Sequence, residues 1–151
     1  MPASGLASFD KTVQKTNSWL KDLMNILGWQ DRQRAYRAFK ATLHALRDRL
    51  TIEEAAELAA QFPMLMRGFY YEGWDPTGKP LKERHKEQFL ARIERELTGE
   101  EGIDAEEIAR AVFGVLQKRI SEGEIEDVEH LLPADIRELW GTKARGASSG
   151  R

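Results

Sequence analysis

AYRAFKATLHALRDRL, residues 35–50, is answered seventy positions later by AEEIARAVFGVLQKRI, residues 105–120. The two stretches share few identities, yet they place apolar residues at the same helical positions. Ala35 pairs with Ala105, Leu43 with Phe113, Leu46 with Leu116 and Leu50 with Ile120, and Leu58 pairs with Val128 beyond them. Apolar side chains recurring at intervals of three and four predict one buried helical face in each stretch. The correspondence extends outward without a gap, from residues 19–70 to residues 89–140. WLKDLMNILG (19–28) precedes the first stretch as FLARIERELTG (89–99) precedes the second. EEAAELAAQFPMLMRGFY (53–70) follows the first as GEIEDVEHLLPADIRELW (123–140) follows the second. A period of this kind signals an internal duplication.

Local chemistry sets the boundaries. Thr51 with Glu54, and Asp104 with Glu107, stand three residues apart as a capping side chain and its reciprocal acid. Pro63 and Pro133 keep the residue before them out of helical geometry while suiting the start of a new helix, so each marks a break and a restart. Gly28, Gly73 and Gly141 suit helix stops. These signals predict an all-α fold of eight helices, at 8–27, 32–49, 52–61, 63–72, 82–97, 105–121, 124–131 and 133–140. The expected organisation is a flexible N-terminus over 1–8, a first helical unit over 9–72, a connecting loop over 73–81, a second unit over 82–140 and a disordered tail over 141–151. Two pseudo-symmetric four-helix units packed face to face are the expected arrangement, because each unit alone is too small to bury its apolar stripe. Side-by-side stacking, as in a minimal solenoid, is the alternative.

The chain has 151 residues, the size of one domain, and its abundance of Ala, Leu, Glu, Lys and Arg agrees with helix. It lacks cysteine, which excludes disulfides, thiolate metal sites and cysteine nucleophiles. The segment MPASGLASFDK has no basic stretch followed by an apolar one, and no window reaches the roughly 18 apolar residues of a membrane span. A cytoplasmic protein without membrane contact is expected.

Taken together, LHALRDRLT, AAQFPMLMRGFYYEGWDP and GEIEDVEHLLP resemble the bacterial domain of unknown function 2267, over residues 9 to 140. The resemblance implies a duplicated helical domain in a bacterial cytoplasm, associated with stress. It implies no catalytic residue.

Two clusters stand out as functional candidates. The first is RGFYYEGW, with Arg67, Tyr70, Tyr71, Glu72 and Trp74. One reading has Phe69, Tyr70 and Trp74 closing the core where the units meet, with Leu139 and Trp140 in the places of Phe69 and Tyr70 in the second copy. The other has Arg67, Tyr70, Tyr71, Glu72 and Trp74 lining a ligand pocket or a partner patch, because the second copy lacks Tyr71, Glu72 and Trp74. The second cluster is a basic stripe, Arg37, Lys40, His44 and Arg47, on the helix at 32–49. It suits a solvated face, or phosphate, although a net charge of −2 argues against nucleic acid.

Charge divides between the copies. Residues 19–70 carry a balance of +2 and residues 89–140 one of −8, an asymmetry that suits partner choice. Asp127 and His130 form a lone carboxylate-x-x-His element, where a di-iron bundle needs two of them and two further acids, so neither metal nor cofactor is expected. Glycine-rich phosphate loops and nucleophile elbows are missing too. The expected function is a non-enzymatic helical interaction protein with a protein partner or self-association, the alternative being a small-molecule binder or sensor with its pocket at RGFYYEGW.

Overall fold

Asp31, Thr51, Asp104 and Ser121 each begin a helix by accepting backbone N–H bonds that the first turn leaves orphaned. Asp31 Oδ1 takes those of Gln33 and Arg34 at 3.0 and 3.3 Å, and Thr51 Oγ1 takes that of Glu54 at 3.1 Å. Asp104 and Ser121 repeat the device with Glu107 and Glu124 at 3.2 and 3.3 Å. Each such cap contributes about 1 kcal/mol. Gly28 ends the first helix at φ +70°, a left-handed geometry that glycine adopts without strain.

The computed structural model describes residues 4–141. Its helices are α1 (Ala7–Leu27), α2 (Arg32–Arg47), α3 (Ile52–Ala59), α4 (Met64–Tyr71), α5 (Lys86–Glu96), α6 (Ala105–Arg119), α7 (Glu122–His130) and α8 (Ala134–Arg137), which tightens into a 3-10 turn over Glu138–Trp140. No strand occurs among the described residues. The expected tail lies, except for Gly141, outside them.

Most helix ends fall one or two residues from expectation, and three starts differ for a local reason. α1 starts at Ala7, because the Asp10 carboxylate accepts from Ser4 N–H at 3.2 Å and from Ser4 Oγ at 2.8 Å, folding residues 4–6 onto the first turn. α7 starts at Glu122 rather than 124, directly behind the Ser121 cap. α5 starts at Lys86 rather than 82, because residues 81–85 are tied to neighbouring elements. Leu81 N–H donates to Asp48 O at 2.8 Å, and the Glu83 carboxylate accepts from Arg49 and, through both oxygens, from Arg92, all at 2.9 Å. The Lys86 N–H then reaches Asp135 Oδ2 at 2.6 Å. At Thr51, moreover, only half of the capping box forms: the Glu54 carboxyl turns toward α7.

The core lies around α2 and α6, which bury Phe39, Leu43 and Leu46 on one side and Val112, Phe113 and Leu116 on the other. The packing is reciprocal. α2 touches α6 and α3 touches α7, while α1 crosses onto α6 as α5 crosses onto α2. From 52 to 70 and from 122 to 140 the sequence of buried and exposed positions is the same, residue for residue. Where α3 meets α7, burial first, with the neighbouring Glu124, Glu57 and Asp127 carboxylates after it, pushes Glu54 up to about 8. Burial raises Glu124 as well.

The proline breaks carry a matching pair of latches. Interrupting a helix leaves its last carbonyls without partners. Arg67 reaches back four residues past Pro63, donating from Nε to Ala59 O at 3.2 Å and from Nη2 to Phe62 O at 3.1 Å. Arg137 does the same past Pro133, to Glu129 O at 3.1 Å and Leu132 O at 2.9 Å. Replacing either arginine by alanine is expected to cost about 1–2 kcal/mol in urea unfolding, and lysine is expected to rescue little, because one ammonium lacks the planar fork. A loss below about 0.5 kcal/mol, the range of ordinary surface substitutions, would contradict the latch.

The ties at Glu83 predict a pH dependence. The Arg92 hydrogen bond first, and Arg49 after it, lower the Glu83 pKa from 4.5 to about 2. A depressed carboxylate stabilises the fold fully above its unfolded value and loses that contribution as the pH falls through its folded value. Wild type and Glu83→Gln, compared by denaturant unfolding at stepped pH, should therefore differ most above about pH 4.5 and converge toward about pH 2. A gap of constant size across that range would mean that the charge of Glu83 does not hold the segment.

Candidate functional site

The aromatic cluster after Pro63 divides between core and rim. Tyr70 is fully buried; its hydroxyl donates to Ala55 O at 2.9 Å, and its ring meets Phe62 edge-on at 5.2 Å. Burial drives its phenol far above the ordinary pKa. Trp140, at the matching place in the second copy, is buried too, stacked on Phe113 at 4.1 Å. Arg67 is committed to the latch. Tyr71 and Trp74 are half-buried, their rings 5.3 Å apart and packed against the core, and the indole N–H of Trp74 is buried without a partner. Glu72 is exposed, and its carboxylate meets Lys40 Nζ at 3.2 Å. The five residues therefore do not share one surface.

The basic stripe is fastened inward. Arg37 is paired with Glu100. Lys40 donates to the Tyr36 hydroxyl and to Glu72, both at 3.2 Å. His44 Nε2 lies 2.7 Å from Phe69 O while Nδ1 lies 2.9 Å from Glu96. Arg47, only 4% exposed, donates to Tyr70 O at 2.8 Å and Glu72 O at 3.0 Å. These carbonyls end α4, where cations offset both the orphaned acceptors and the helix dipole. The two sequence candidates thus meet at the exit of α4, and His44 and Arg47 secure the chain from Phe69 to Glu72. Beside them opens a polar cleft of about 400 Å³, to which α5 contributes Arg92, Arg95 and Glu96. Arg92 is occupied by Glu83, whereas Arg95 has no ion pair among the described residues.

A second concavity, unanticipated from sequence, runs between α1 and α4. α1 has 21 residues where its counterpart α5 has 11, and the added turns carry Phe9 and Val13. Opposite them, α4 presents Met64 and Leu65, and all four side chains keep between 44% and 48% exposure. Thr16, Leu20, Gly68 and Phe69 contribute to a cavity of about 850 Å³. The Leu65 N–H donates to Thr12 Oγ1 at 2.9 Å, joining the walls. At one end Lys11, Lys15 and Arg67 border an adjoining cleft of about 460 Å³. In the second copy, Met64, Leu65 and Gly68 are replaced by Ala134, Asp135 and Glu138. There Asp135 holds the Lys86 N–H, and Glu138 holds Lys86 Nζ and Arg110, so the duplication itself does not require the groove. The spacing of Leu6, Phe9 and Val13 with Thr16 and Leu20 was the available signal, a stripe on one helix face.

The three histidines are dispersed: His44 faces the polar cleft, His85 precedes α5 and His130 is exposed at the end of α7. Among the described residues, no helix is long and apolar enough to cross a membrane.

No curated protein matches the chain. The profile of an uncharacterised conserved protein family, DUF2267, matches residues 16–139, starting within α1 after Phe9 and Val13 and ending in the last turn. On that match, which covers most of its length and both copies of the repeat, the chain belongs to the DUF2267 family.

Proposed function

We propose that the protein is a non-enzymatic interaction protein of the bacterial cytoplasm, and that its α1–α4 groove receives an amphipathic helix with an acidic flank. The observation that carries this reading is the grouping of Phe9, Val13, Met64 and Leu65, each nearly half exposed, around one groove. Scattered apolar residues are ordinary on a surface, whereas a contiguous patch between two helices suits the apolar face of a third. Covering that patch stabilises a complex by about 25 cal/mol per Å² of apolar surface removed from water. The acidic flank is inferred from Lys11 and Lys15, which have no ion pair among the described residues and stand at the groove's end. Such rim charges steer association and select sign more than they add affinity. The association with stress implied by the family resemblance would make the partner a protein of that response. The non-enzymatic part of the reading rests on the inward use of His44, Arg47 and Arg67.

A labelled helical peptide built from leucine on one face and glutamate along both flanks tests the groove by fluorescence anisotropy. Binding is expected to weaken with salt, and by about tenfold in Leu65→Asp, the loss of one buried apolar anchor. That variant copies Asp135 of the second copy, so the fold should tolerate it. Failure to bind, or binding indifferent to Leu65→Asp, would contradict the proposal.

An anionic small molecule in the polar cleft is the second reading, favoured by Arg95, which has no ion pair among the described residues. A rise in melting temperature with inorganic phosphate that disappears in Arg95→Gln would move this reading ahead of the first.

A further inference from the structure

α3 and α7 begin alike, behind Thr51 and Ser121, and carry acids at matching positions. Glu54 and Glu57 stand three apart on α3, as Glu124 and Asp127 do on α7, so each helix presents its pair on one face. The two faces meet. One oxygen from each of the four carboxylates lies within 4.8 Å of the others. Glu57 and Asp127 open to solvent, while Glu54 and Glu124 each retain 9% exposure. Among the described residues, Oε2 of each buried acid meets no N–H or hydroxyl, and the two carboxyls hydrogen-bond only to each other. None of the ion pairs among the described residues involves any of the four.

We propose that the seam between α3 and α7 is a Ca²⁺ site, with Glu54 and Glu124 as its buried ligands and Glu57 and Asp127 as its solvent-facing ones. Two buried carboxyls that face each other without an N–H or hydroxyl donor are costly to ionise, and a cation in place of the proton between them gives both a partner. Four carboxylates and no nitrogen or sulfur donor select a hard ion. Ca²⁺ takes ligands at about 2.3–2.6 Å, so opposed oxygens stand no more than roughly 5 Å apart across it, a limit that the four carboxylates meet. Mg²⁺ dehydrates reluctantly and usually takes only one or two carboxylates, so a group of four favours Ca²⁺. Water reaching Glu57 and Asp127 completes the coordination shell. Because the ligands come equally from the two copies, the ion ties one half of the chain to the other.

Isothermal titration of the full chain with CaCl₂, after chelator treatment and at moderate KCl, tests the site. One Ca²⁺ per chain is expected, together with a raised melting temperature. Glu57→Gln and Asp127→Asn, both at exposed positions that leave the helices intact by circular dichroism, should each lower the affinity at least about tenfold, the least that losing even an outer-shell partner brings. Glu87→Gln, in the exposed His85–Glu87–Asp135 group, should leave it unchanged. The proposal is overturned by the lack of saturable binding tighter than about 1 mM, the weak end of Ca²⁺ modules. Binding that persists undiminished in Glu57→Gln and Asp127→Asn, or that falls in Glu87→Gln, overturns it too.

Discussion

Neither half of this chain covers its own apolar faces. α2 and α6 lie at the centre, and each is flanked by the leading helix of the other half as well as its own, α1 crossing onto α6 and α5 onto α2. A four-helix segment of some sixty residues buries too little surface to offset the entropy of ordering it, so the crossing is what makes a stable core available. The loops, latches and seams serve that exchange.

The polar residues obey the same constraint. A duplicated unit broken by proline frees carbonyls in both copies, and Arg67 and Arg137 answer them with the same geometry. At the exit of α4, where the first copy turns into the connection, His44 and Arg47 take up further carbonyls. Cations that resemble a nucleic-acid stripe in sequence are thereby occupied in holding a helix end, while α1 extends beyond the repeat and leaves an apolar groove. Two kinds of residue thus share one helix, α4: Arg67 and Tyr70 hold the fold, and Met64 and Leu65 face the groove.

Much of this was legible in the sequence, for identifiable reasons. Apolar periodicity, the proline breaks and the seventy-residue register depend on local patterning, and the eight helices obey them. The latches were half visible, since Arg67 and Arg137 share a register, but their acceptors are carbonyls that sequence does not distinguish. The start of α5 was hidden because Glu83 finds Arg49, thirty-four residues away, and an extended segment results. The Glu54–Glu124 contact was hidden for a similar reason: acids a full repeat apart meet only once the halves pack. Tyr71 and Trp74 are unmatched by the second copy, yet the neighbouring Met64 and Leu65 carry more of the exposed apolar surface.

The shared core is tested most directly by separating the halves. Segments 4–72 and 82–141 should each show little helix by circular dichroism and no cooperative melting when alone, and should regain both on mixing in equal amounts. Either segment folding cooperatively by itself, with mixing adding nothing, would contradict a core built by exchange.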